Sequence, residues 1–500
     1  MSGVDRRTLI GAGLALAALP ARAAPPRRWT GTVERGVHVF RGIRYGTAGR
    51  FQTPRPHAPT QVEAATGFGP SCPQVGQRYR PTSEDCLFLN VWSAEPDARA
   101  KRPVMVYIHG GAYSTGSVVD PLNDGHALAA RGDVVVVTVN HRLNAFGYLY
   151  LARLDPRFSN SGNAGQLDLI LALRWVRDNI ASFGGDPAKV MVFGQSGGGA
   201  KIATLMGTPA AKGLFHRAAT MSGQQVTASG PLNATRRAEA LLDKLGTRDI
   251  DAVRAMPAER LVDALAATDP ILGGSVYMGP VLDMRSLTRH PFWPDAHPQG
   301  NAIPLMLGNT RRETGAFIDP DGAKMRGLTW DNLPERMAPE LRIDILPEWV
   351  VAQYRARFPD WSPMQVFYDA TTAGRSWRGQ VIEAEARAAA GVPAWVYQLD
   401  FSSRTDPRRG AFHTMDIPLV FGTIGADGSQ TGTGADARAA SQAMQDAFVT
   451  FARSGRAAWP RYDLKTRATM IFDVLSRVEN DSRRWQRELF ARVPYIQPGT

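Results

Sequence analysis

Three short apolar runs, rich in β-branched residues, constrain the fold of this chain more than any other feature. They are Val104–His109 (VMVYIH), Val134–Asn140 (VVVVTVN) and Val190–Phe193 (VMVF). Runs that are apolar at nearly every position are typical of strands buried on both faces of a parallel sheet. Between the second and third runs, residues 163–187 carry apolar side chains at helical spacing and end in the stop signal GGDP. The order strand, helix, strand predicts an α/β fold with a mainly parallel central sheet flanked by helices.

The rest of the chain indicates one large domain. Of its 500 residues, 44% are hydrophobic and 21% are charged, as in an ordinary globular protein. No linker, charge block or repeat divides it, so we predict a single domain over residues 24–500. Residues 230–390 contain many helix-forming stretches and predict helical insertions around the sheet.

The first 23 residues have the pattern of an export signal. Arg6 and Arg7 precede an apolar run, Leu9–Leu19, and the small-x-small site Ala21–Ala23. This order predicts a cleaved signal peptide of the twin-arginine type over residues 1–23, and hence a periplasmic or secreted protein. The run is shorter than the roughly 20 residues that span a bilayer, so we expect no stable membrane insertion. An uncleaved anchor is the alternative.

Charge and cysteine content narrow the possible partners. The net charge is +12, but the arginines are scattered rather than clustered, so we expect no nucleic-acid partner. The only cysteines are Cys72 and Cys86. In an oxidising compartment such a pair is expected to form a disulfide, and two free buried thiols are the alternative. Nothing nearby completes a four-ligand zinc site, so we expect no metal.

The glycine-rich stretch VMVFGQSGGGAK, residues 190–201, fits either a phosphate loop or a nucleophile turn. A phosphate loop needs lysine directly after glycine and then Ser or Thr, but here Ala200 precedes Lys201 and Ile202 follows it. The pattern G-x-S-x-G fits Gly194–Gly198 without a gap, after a predicted strand. The stretch therefore predicts a nucleophile elbow that presents Ser196.

A serine nucleophile requires a base and an acid that orients the base. In α/β-hydrolases the chain order is serine, acid, histidine. His413, in a loop-like segment, leaves room for an acid before it, whereas His216 follows the elbow too closely and is interpreted as structural. The acid is either Glu313 or Asp400, since each follows an apolar strand-like run.

The segment HGGAYSTG, residues 109–116, follows the first predicted strand. Esterases carry an HGG-type loop at this place, where backbone N–H groups stabilise the oxyanion of the tetrahedral intermediate. We therefore expect this loop to supply the oxyanion hole.

Several segments together resemble the type-B carboxylesterases, the family that also contains the cholinesterases. They are SEDCLFLNVW, YIHGGAY, FGGDPAKVMVFGQSGG, LMLGNTRRETGAF, HTMDIPLVFG and WPRYDLKTRATMIFD. The resemblance covers residues 31–472 with the motifs in family order. It implies an α/β-hydrolase fold and hydrolysis of small-molecule carboxylic esters through an acyl-enzyme, without a cofactor.

The resemblance also implies roles for individual residues. Ser196 matches the nucleophile, Glu313 the acid and His413 the base. Further positions match backbone and structural features of the family: the oxyanion donors Gly111, Ala112 and Gly197, the turn residue Gly110, the disulfide Cys72–Cys86 and an ion pair between Glu84 and Arg142.

Two motifs depart from the family pattern. The elbow often reads Glu-Ser-Ala, and here it is Gln195-Ser196-Gly197, which removes a carboxylate and argues against a cationic substrate. The acid motif usually reads Asp-Glu-Gly, and here Thr314 stands between Glu313 and Gly315.

We therefore predict a serine carboxylesterase. The alternatives on the same machinery are a lactonase, an amidase or a specialised toxin esterase. A catalytically inactive adhesion protein of the same family is a different class, and the presence of serine, acid and histidine together argues against it. Nothing in the sequence bears on oligomeric state.

Overall fold

The computed structural model describes residues 28–497, so the predicted signal peptide, residues 1–23, lies outside the described residues. The strands in this range are β1 Trp29–Thr30, β2 Thr32–Glu34, β3 Val37–Arg44, β4 Gly46–Thr47, β5 Arg55–Pro56, β6 Glu63–Ala64, β7 Phe88–Ser93, β8 Arg102–Ile108, β9 Val135–Val139, β10 Gly185–Gln195, β11 Arg217–Met221, β12 Leu305–Thr310, β13 Ala394–Leu399, β14 Ala468–Phe472 and β15 Arg477–Asn480.

The α-helices of the same range are α1 His126–Gly132, α2 Asn144–Tyr148, α3 Ala164–Asn179, α4 Gly197–Met206, α5 Pro231–Leu245, α6 Ile250–Ala255, α7 Ala258–Ala264, α8 Leu333–Leu341, α9 Pro347–Arg357, α10 Pro363–Thr372, α11 Arg378–Ala389, α12 Asp416–Phe421, α13 Ala435–Ser454 and α14 Arg484–Phe490. A π-helical segment, Ala373–Trp377, joins α10 to α11.

Eleven strands form one sheet in the order β15-β14-β13-β12-β11-β10-β8-β9-β7-β3-β2. Neighbours from β9 through β14 pair in parallel. The outer pairs are antiparallel. The predicted mainly parallel sheet is confirmed, and the carboxyl ends of its parallel strands share one edge.

The three apolar runs form β8, β9 and β10, side by side at the centre of the sheet. The predicted helix between the last two is α3, and it is followed by a 3₁₀ turn that ends at Gly184, where φ is 85°. Strand β10 is longer than predicted because it begins at Gly185, directly after this turn.

Alternating side chains of the central strands supply two separate cores. In β8, Val104, Val106 and Ile108 pack with α3 and α4 on one face. Met105 and Tyr107 pack with α1, α12 and α13 on the other. Covering on both faces explains why these strands read as continuous apolar runs.

Residues 230–390 contain the predicted helical insertions, α5 to α11, but β12 also runs through this region. Helices α8, α9 and α10 build a third apolar cluster of their own, around Leu333, Val350, Tyr354 and Phe367. No helix among residues 28–497 is both long and apolar enough to cross a membrane.

Candidate active site

Ser196 occupies a sharp turn between β10 and α4. Its backbone has φ 56° and ψ −125°, a sparsely populated conformation that costs about 1–3 kcal/mol and persists only when the surroundings impose it. The Ser196 N–H donates to the carbonyl of Met221 at the end of β11, at 2.7 Å. The side chain is partly exposed at the carboxyl edge of the sheet.

The glycines on either side of Ser196 are required by close backbone contacts. A Cβ on Gly198 would lie 1.9 Å from the carbonyl oxygen of Ile108, and one on Gly194 would lie 2.6 Å from the same atom. No side chain fits at these distances, so the predicted elbow is confirmed as a local structure.

Backbone pairing brings Glu313 and His413 together. Glu313 begins a 3₁₀ turn shortly after β12. The Arg312 N–H donates to the carbonyl of Ala411 at 2.8 Å, and the His413 N–H donates to the carbonyl of Glu313 at 3.4 Å. This short parallel bridge places both side chains at the edge of the sheet where Ser196 lies.

The Glu313 carboxylate is fully buried and fully hydrogen-bonded. One oxygen accepts a hydrogen bond from Nδ1 of His413. The other accepts from Nδ2 of Asn309 at 3.0 Å and from the backbone N–H of Thr310 at 2.7 Å. Burial raises the pKa of Glu313, but the charge and hydrogen bond of His413 and the Thr310 N–H outweigh it, so the net pKa lies below its ordinary value. The carboxylate is therefore ionised.

Asp400, the rival acid, lies elsewhere. It accepts a hydrogen bond from the Gln398 side chain at 2.6 Å, and its N–H donates to the carbonyl of Phe472. Burial raises its pKa. The geometry therefore joins Glu313, and not Asp400, to His413.

The additional threonine of the acid motif does not disturb this arrangement. The Thr314 hydroxyl is buried against α10, where it contacts the hydroxyl groups of Thr371 at 2.8 Å and Thr372 at 3.2 Å. Its side chain therefore contacts α10, while Glu313 contacts His413.

The Nε2 atom of His413 is buried and has no hydrogen-bond partner among the described residues, and the whole residue is only 6% exposed. The half-exposed ring of Phe317 packs against the imidazole, with the ring centroids 5.0 Å apart. His413 thus has one nitrogen fixed by a carboxylate and the other available.

We call residues His109–Gly116 the glycine loop. Gly111 and Ala112 both have positive φ, 85° and 54°. A positive φ at two successive residues, one of them not a glycine, marks a constrained turn of the backbone. Within residues 28–497, the N–H groups of Gly111, Ala112 and Gly197 donate to no acceptor in the protein. The predicted oxyanion donors are thus unpaired, and Gly110 packs closely, since a Cβ there would lie 2.8 Å from the carbonyl of Gln195.

The Gln195 side chain, which replaces the family's glutamate, is buried, with 1% of its surface exposed. It lies beneath the glycine loop, where its Oε1 atom would be 3.1 Å from a Cβ on Gly110. It therefore contributes no charge to the open side of the site.

The predicted ion pair between Glu84 and Arg142 is wrong. Arg142 instead forms a buried bidentate pair with Asp168 of α3, at 2.7 and 2.9 Å. Glu84 accepts from Nε of Arg50 at 2.9 Å. Two donor nitrogens of Arg142 are bonded to the fully buried Asp168, and the third donates to a backbone carbonyl. The guanidinium therefore has no donor nitrogen left for a second carboxylate.

The structure holds Cys72 and Cys86 as two buried thiols and not as a disulfide. The groups are neighbours, since a hydrogen bond with Cys72, together with burial, raises the pKa of the Cys86 thiol. The Cys72 sulfur also accepts from the N–H of Leu143 at 3.3 Å.

A cavity of about 1330 Å³ lies beside the glycine loop. Its walls include Ser114 and Thr115 of the loop, the segment 73–84 and helix α7. Ser196, Glu313 and His413 do not line it, so it adjoins the candidate site without containing it.

Sequence reasoning missed three groups of the site. Asn309 and Thr310 hold the free oxygen of Glu313, and their place directly before the acid was the only available signal. The sequence pattern gives Lys201 no role once the phosphate loop is excluded, but the structure buries it completely under the glycine loop.

The mainly parallel sheet, with Ser196 in a sharp turn after β10 and the Glu313–His413 pair beyond the end of β12, has the architecture of an α/β-hydrolase. Residues 27–486 match the model of the Carboxylesterase family. The chain belongs to that family, as the sequence resemblance predicted, and it is a serine carboxylesterase that hydrolyses carboxylic esters.

Individual relatives are similar over nearly their full length. Para-nitrobenzyl esterase of Bacillus subtilis (strain 168) is 35% identical over 496 residues, which cover 92% of this chain and 96% of the relative. Fumonisin B1 esterase of Sphingopyxis macrogoltabida is 32% identical, with 86% of this chain and 82% of the relative covered. The crystal structure of Geobacillus stearothermophilus carboxylesterase EST55 at pH 6.2 superposes with a TM-score of 0.82 at 34% identity, covering 93% of this chain and 99% of that one.

Proposed function

We propose that Ser196, His413 and Glu313 form the catalytic triad. Nε2 of His413 takes the proton from the Ser196 hydroxyl as Oγ bonds to the ester carbonyl carbon. Glu313 holds the imidazole by its Nδ1–H and stabilises the imidazolium. His413 then gives the proton to the leaving alcohol oxygen as the carbon–oxygen bond breaks, which leaves an acyl-serine. Water, deprotonated by His413, releases the acid and regenerates the serine.

The unpaired N–H groups of Gly111, Ala112 and Gly197 form the oxyanion hole in this proposal. They stabilise the negative charge that the carbonyl oxygen gains in the tetrahedral intermediate. The observation that carries the proposal is the buried, ionised Glu313, which is hydrogen-bonded to Nδ1 of His413 and leaves Nε2 without a partner.

We infer a neutral or anionic small-molecule ester as the substrate rather than a cationic one. No carboxylate stands beside Ser196 in the elbow, where Gln195 is buried. A lactonase or an amidase would use the same machinery, and the choice between these reactions depends on the acyl and alcohol groups that the site accepts.

The direct test is labelling with a fluorophosphonate, which reacts only with an activated serine. Wild type should be labelled on Ser196, and the peptide should be identified by mass spectrometry. Absence of labelling would favour the inactive adhesion class. A panel of aryl esters, lactones and anilides of matched acyl length then separates the esterase from the lactonase and the amidase, and we expect the aryl esters to be cleaved fastest.

We also propose export, with a mature chain that begins near Ala24 and a Cys72–Cys86 disulfide in the oxidising compartment. The two thiols are already neighbours. The intact mass of the native protein, measured without reduction, should show the shortened chain two hydrogens light. Retention of Met1 or the presence of two alkylatable thiols contradicts the respective half of this proposal.

A further inference from the structure

Lys201 is a buried lysine without a carboxylate partner in the part of the chain that the structure describes. It lies one turn into α4 and is fully buried. Its Nζ donates to the carbonyl of Ala112 at 2.8 Å and to the carbonyl of His109 at 3.3 Å. It also lies 5.2 Å from the centre of the Tyr113 ring. Burying an amine is costly, so a lysine kept at this place calls for an explanation.

The two carbonyl groups bound by Lys201 bracket the proposed oxyanion donors. The His109 carbonyl belongs to the peptide before Gly110, and the Ala112 carbonyl to the peptide after Ala112. The N–H groups of Gly111 and Ala112 belong to the two peptides between them. Fixing both outer peptides therefore fixes the direction of both donors.

The remaining carbonyls of this stretch are also held inside the protein. The Gly110 carbonyl accepts from Nδ1 of His109 at 2.9 Å. The Gly111 carbonyl accepts from the N–H groups of Ser114 and Thr115, at 3.1 and 3.0 Å. All four carbonyls from His109 to Ala112 thus have internal donors, which leaves the N–H side free for an anion.

Gly197 makes room for this contact. A Cβ on Gly197 would lie 1.9 Å from the Ala112 carbonyl oxygen, the same atom that Lys201 holds. Gly197 and Lys201 are four residues apart on α4 and so face the same side of the helix. The glycine that departs from the family's usual alanine and the lysine one turn later act on a single carbonyl.

We propose that Lys201 is a positioning residue for ester hydrolysis: it fixes the His109 and Ala112 carbonyls and so holds the glycine loop in the conformation that binds the transition state. This inference rests on the proposed function. Because the loop donors act on the oxyanion and not on the ground-state ester, loss of Lys201 should lower kcat rather than raise KM.

The test compares Lys201→Met with Arg387→Met. Arg387 is also a buried cation that donates to carbonyl groups, those of Gly300, Ile303 and Pro393, but it lies away from the glycine loop. Lys201→Met should lower kcat about 10- to 100-fold with KM within threefold of wild type. The inhibition constant of a trifluoromethyl ketone, which forms a tetrahedral adduct with serine, should rise by the same factor. Arg387→Met should lower the melting temperature and leave kcat within twofold.

A value of kcat for Lys201→Met within twofold of wild type, or an unchanged ketone inhibition constant, overturns the proposal. If that variant does not fold, Gly197→Ala decides, because its methyl group displaces the Ala112 carbonyl from Lys201. Gly197→Ala should lower kcat and raise the inhibition constant of the ketone by the same factor, at a nearly constant KM. An unchanged kcat in this variant rejects the inference. If Lys201→Met does fold, the double variant Gly197→Ala/Lys201→Met should have a kcat only slightly lower than that of Lys201→Met alone. Losses of kcat that add in the double variant would contradict an action of both residues on the Ala112 carbonyl.

Fluorophosphonate labelling of wild type distinguishes failure of the proposed function from failure of the role of Lys201. A wild type that is not labelled rejects the proposed function itself. A wild type that is labelled, with full kcat in Lys201→Met, rejects only the role of Lys201.

Discussion

The serine side of the candidate site is held by backbone geometry, whereas its acid–base side is held by side-chain hydrogen bonds. Ser196 and the glycine loop depend on positive φ angles and on glycines that admit close contacts. Glu313 and His413, 100 residues apart, are joined by a hydrogen bond between the carboxylate and Nδ1, beside a short backbone bridge. The difference teaches that substitutions can inactivate the site in two ways. Those around Ser196 and the glycine loop act by changing its shape, and those at Glu313 and His413 act by removing charge.

The largest expected effect is that of Ser196→Ala, which deletes one hydroxyl from the backbone-held side without altering its shape. We expect kcat to fall about 10⁴- to 10⁶-fold, leaving the residual rate that loop donors and binding supply. Labelling should vanish while the melting temperature stays within a few degrees. Turnover within tenfold of wild type would exclude Ser196 as the nucleophile.

The next effect is that of Glu313→Gln, which keeps the shape of the acid–base side and removes its charge. A neutral amide can hold His413 in the wrong tautomer and cannot stabilise the imidazolium. We expect a loss of about 10²–10⁴ in kcat with a nearly normal melting temperature. The check is kcat on one aryl ester together with the melting temperature of the variant. A large fall in stability with little loss of kcat would show that Glu313 maintains the shape of the site rather than its charge.

Gly198→Ala should change the shape of the backbone-held side while leaving its chemical groups in place, the reverse of Ser196→Ala. Its Cβ would meet the Ile108 carbonyl at 1.9 Å, so strand β8 or the elbow must shift. We expect a destabilisation of roughly 1–3 kcal/mol, measured by chemical denaturation, together with a 10- to 100-fold loss of kcat. A variant with unchanged stability would show that the elbow is more compliant than the contacts indicate.

Asp400→Asn serves as the matched control for Glu313→Gln. Asp400 is bonded to Gln398 and does not reach His413. The variant should retain at least a tenth of wild-type kcat on the same ester. If Asp400→Asn were the crippled variant and Glu313→Gln were not, the acid assignment would fail while the esterase function would stand.

The smallest effect concerns the pH dependence of stability. Burial lowers the pKa of Lys201 from 10.5 to about 7, and the groups that face it, His109, His141 and Tyr113, bear no negative charge at neutral pH. Between pH 7 and 10.5 the unfolded chain binds a proton that the folded chain does not, so this group makes stability rise with pH. The slope is at most roughly 1.4 kcal/mol per pH unit.

Denaturation of wild type and Lys201→Met at several pH values across that window isolates this contribution. The stability of wild type relative to the variant should rise with pH and level off at the alkaline end. A difference that does not change with pH would mean that Lys201 keeps its ordinary pKa.

The sequence predicted the backbone-held side better than the other. The elbow needs glycines at fixed positions around Ser196, and a local motif records such a need directly. The choice between Glu313 and Asp400 depended on which of two strand ends lies beside His413, a contact between distant segments that no local pattern encodes. The error over Glu84 and Arg142 has the same origin, since Asp168 competes for the arginine from another helix. Lys201 was missed because its burial depends on how the glycine loop folds over α4.

The strand order described above also has a kinetic consequence. β10, β11, β12 and β13 lie side by side, yet more than 80 residues separate β11 from β12 and β12 from β13 in sequence. Contacts between such distant segments close large loops and form slowly. During refolding, helix content should therefore recover before ester turnover, because the proposed acid Glu313 and base His413 follow β12 and β13 and reach Ser196 only after these strands have joined the sheet. The time at which ester hydrolysis returns therefore reports when the central sheet has finished assembling.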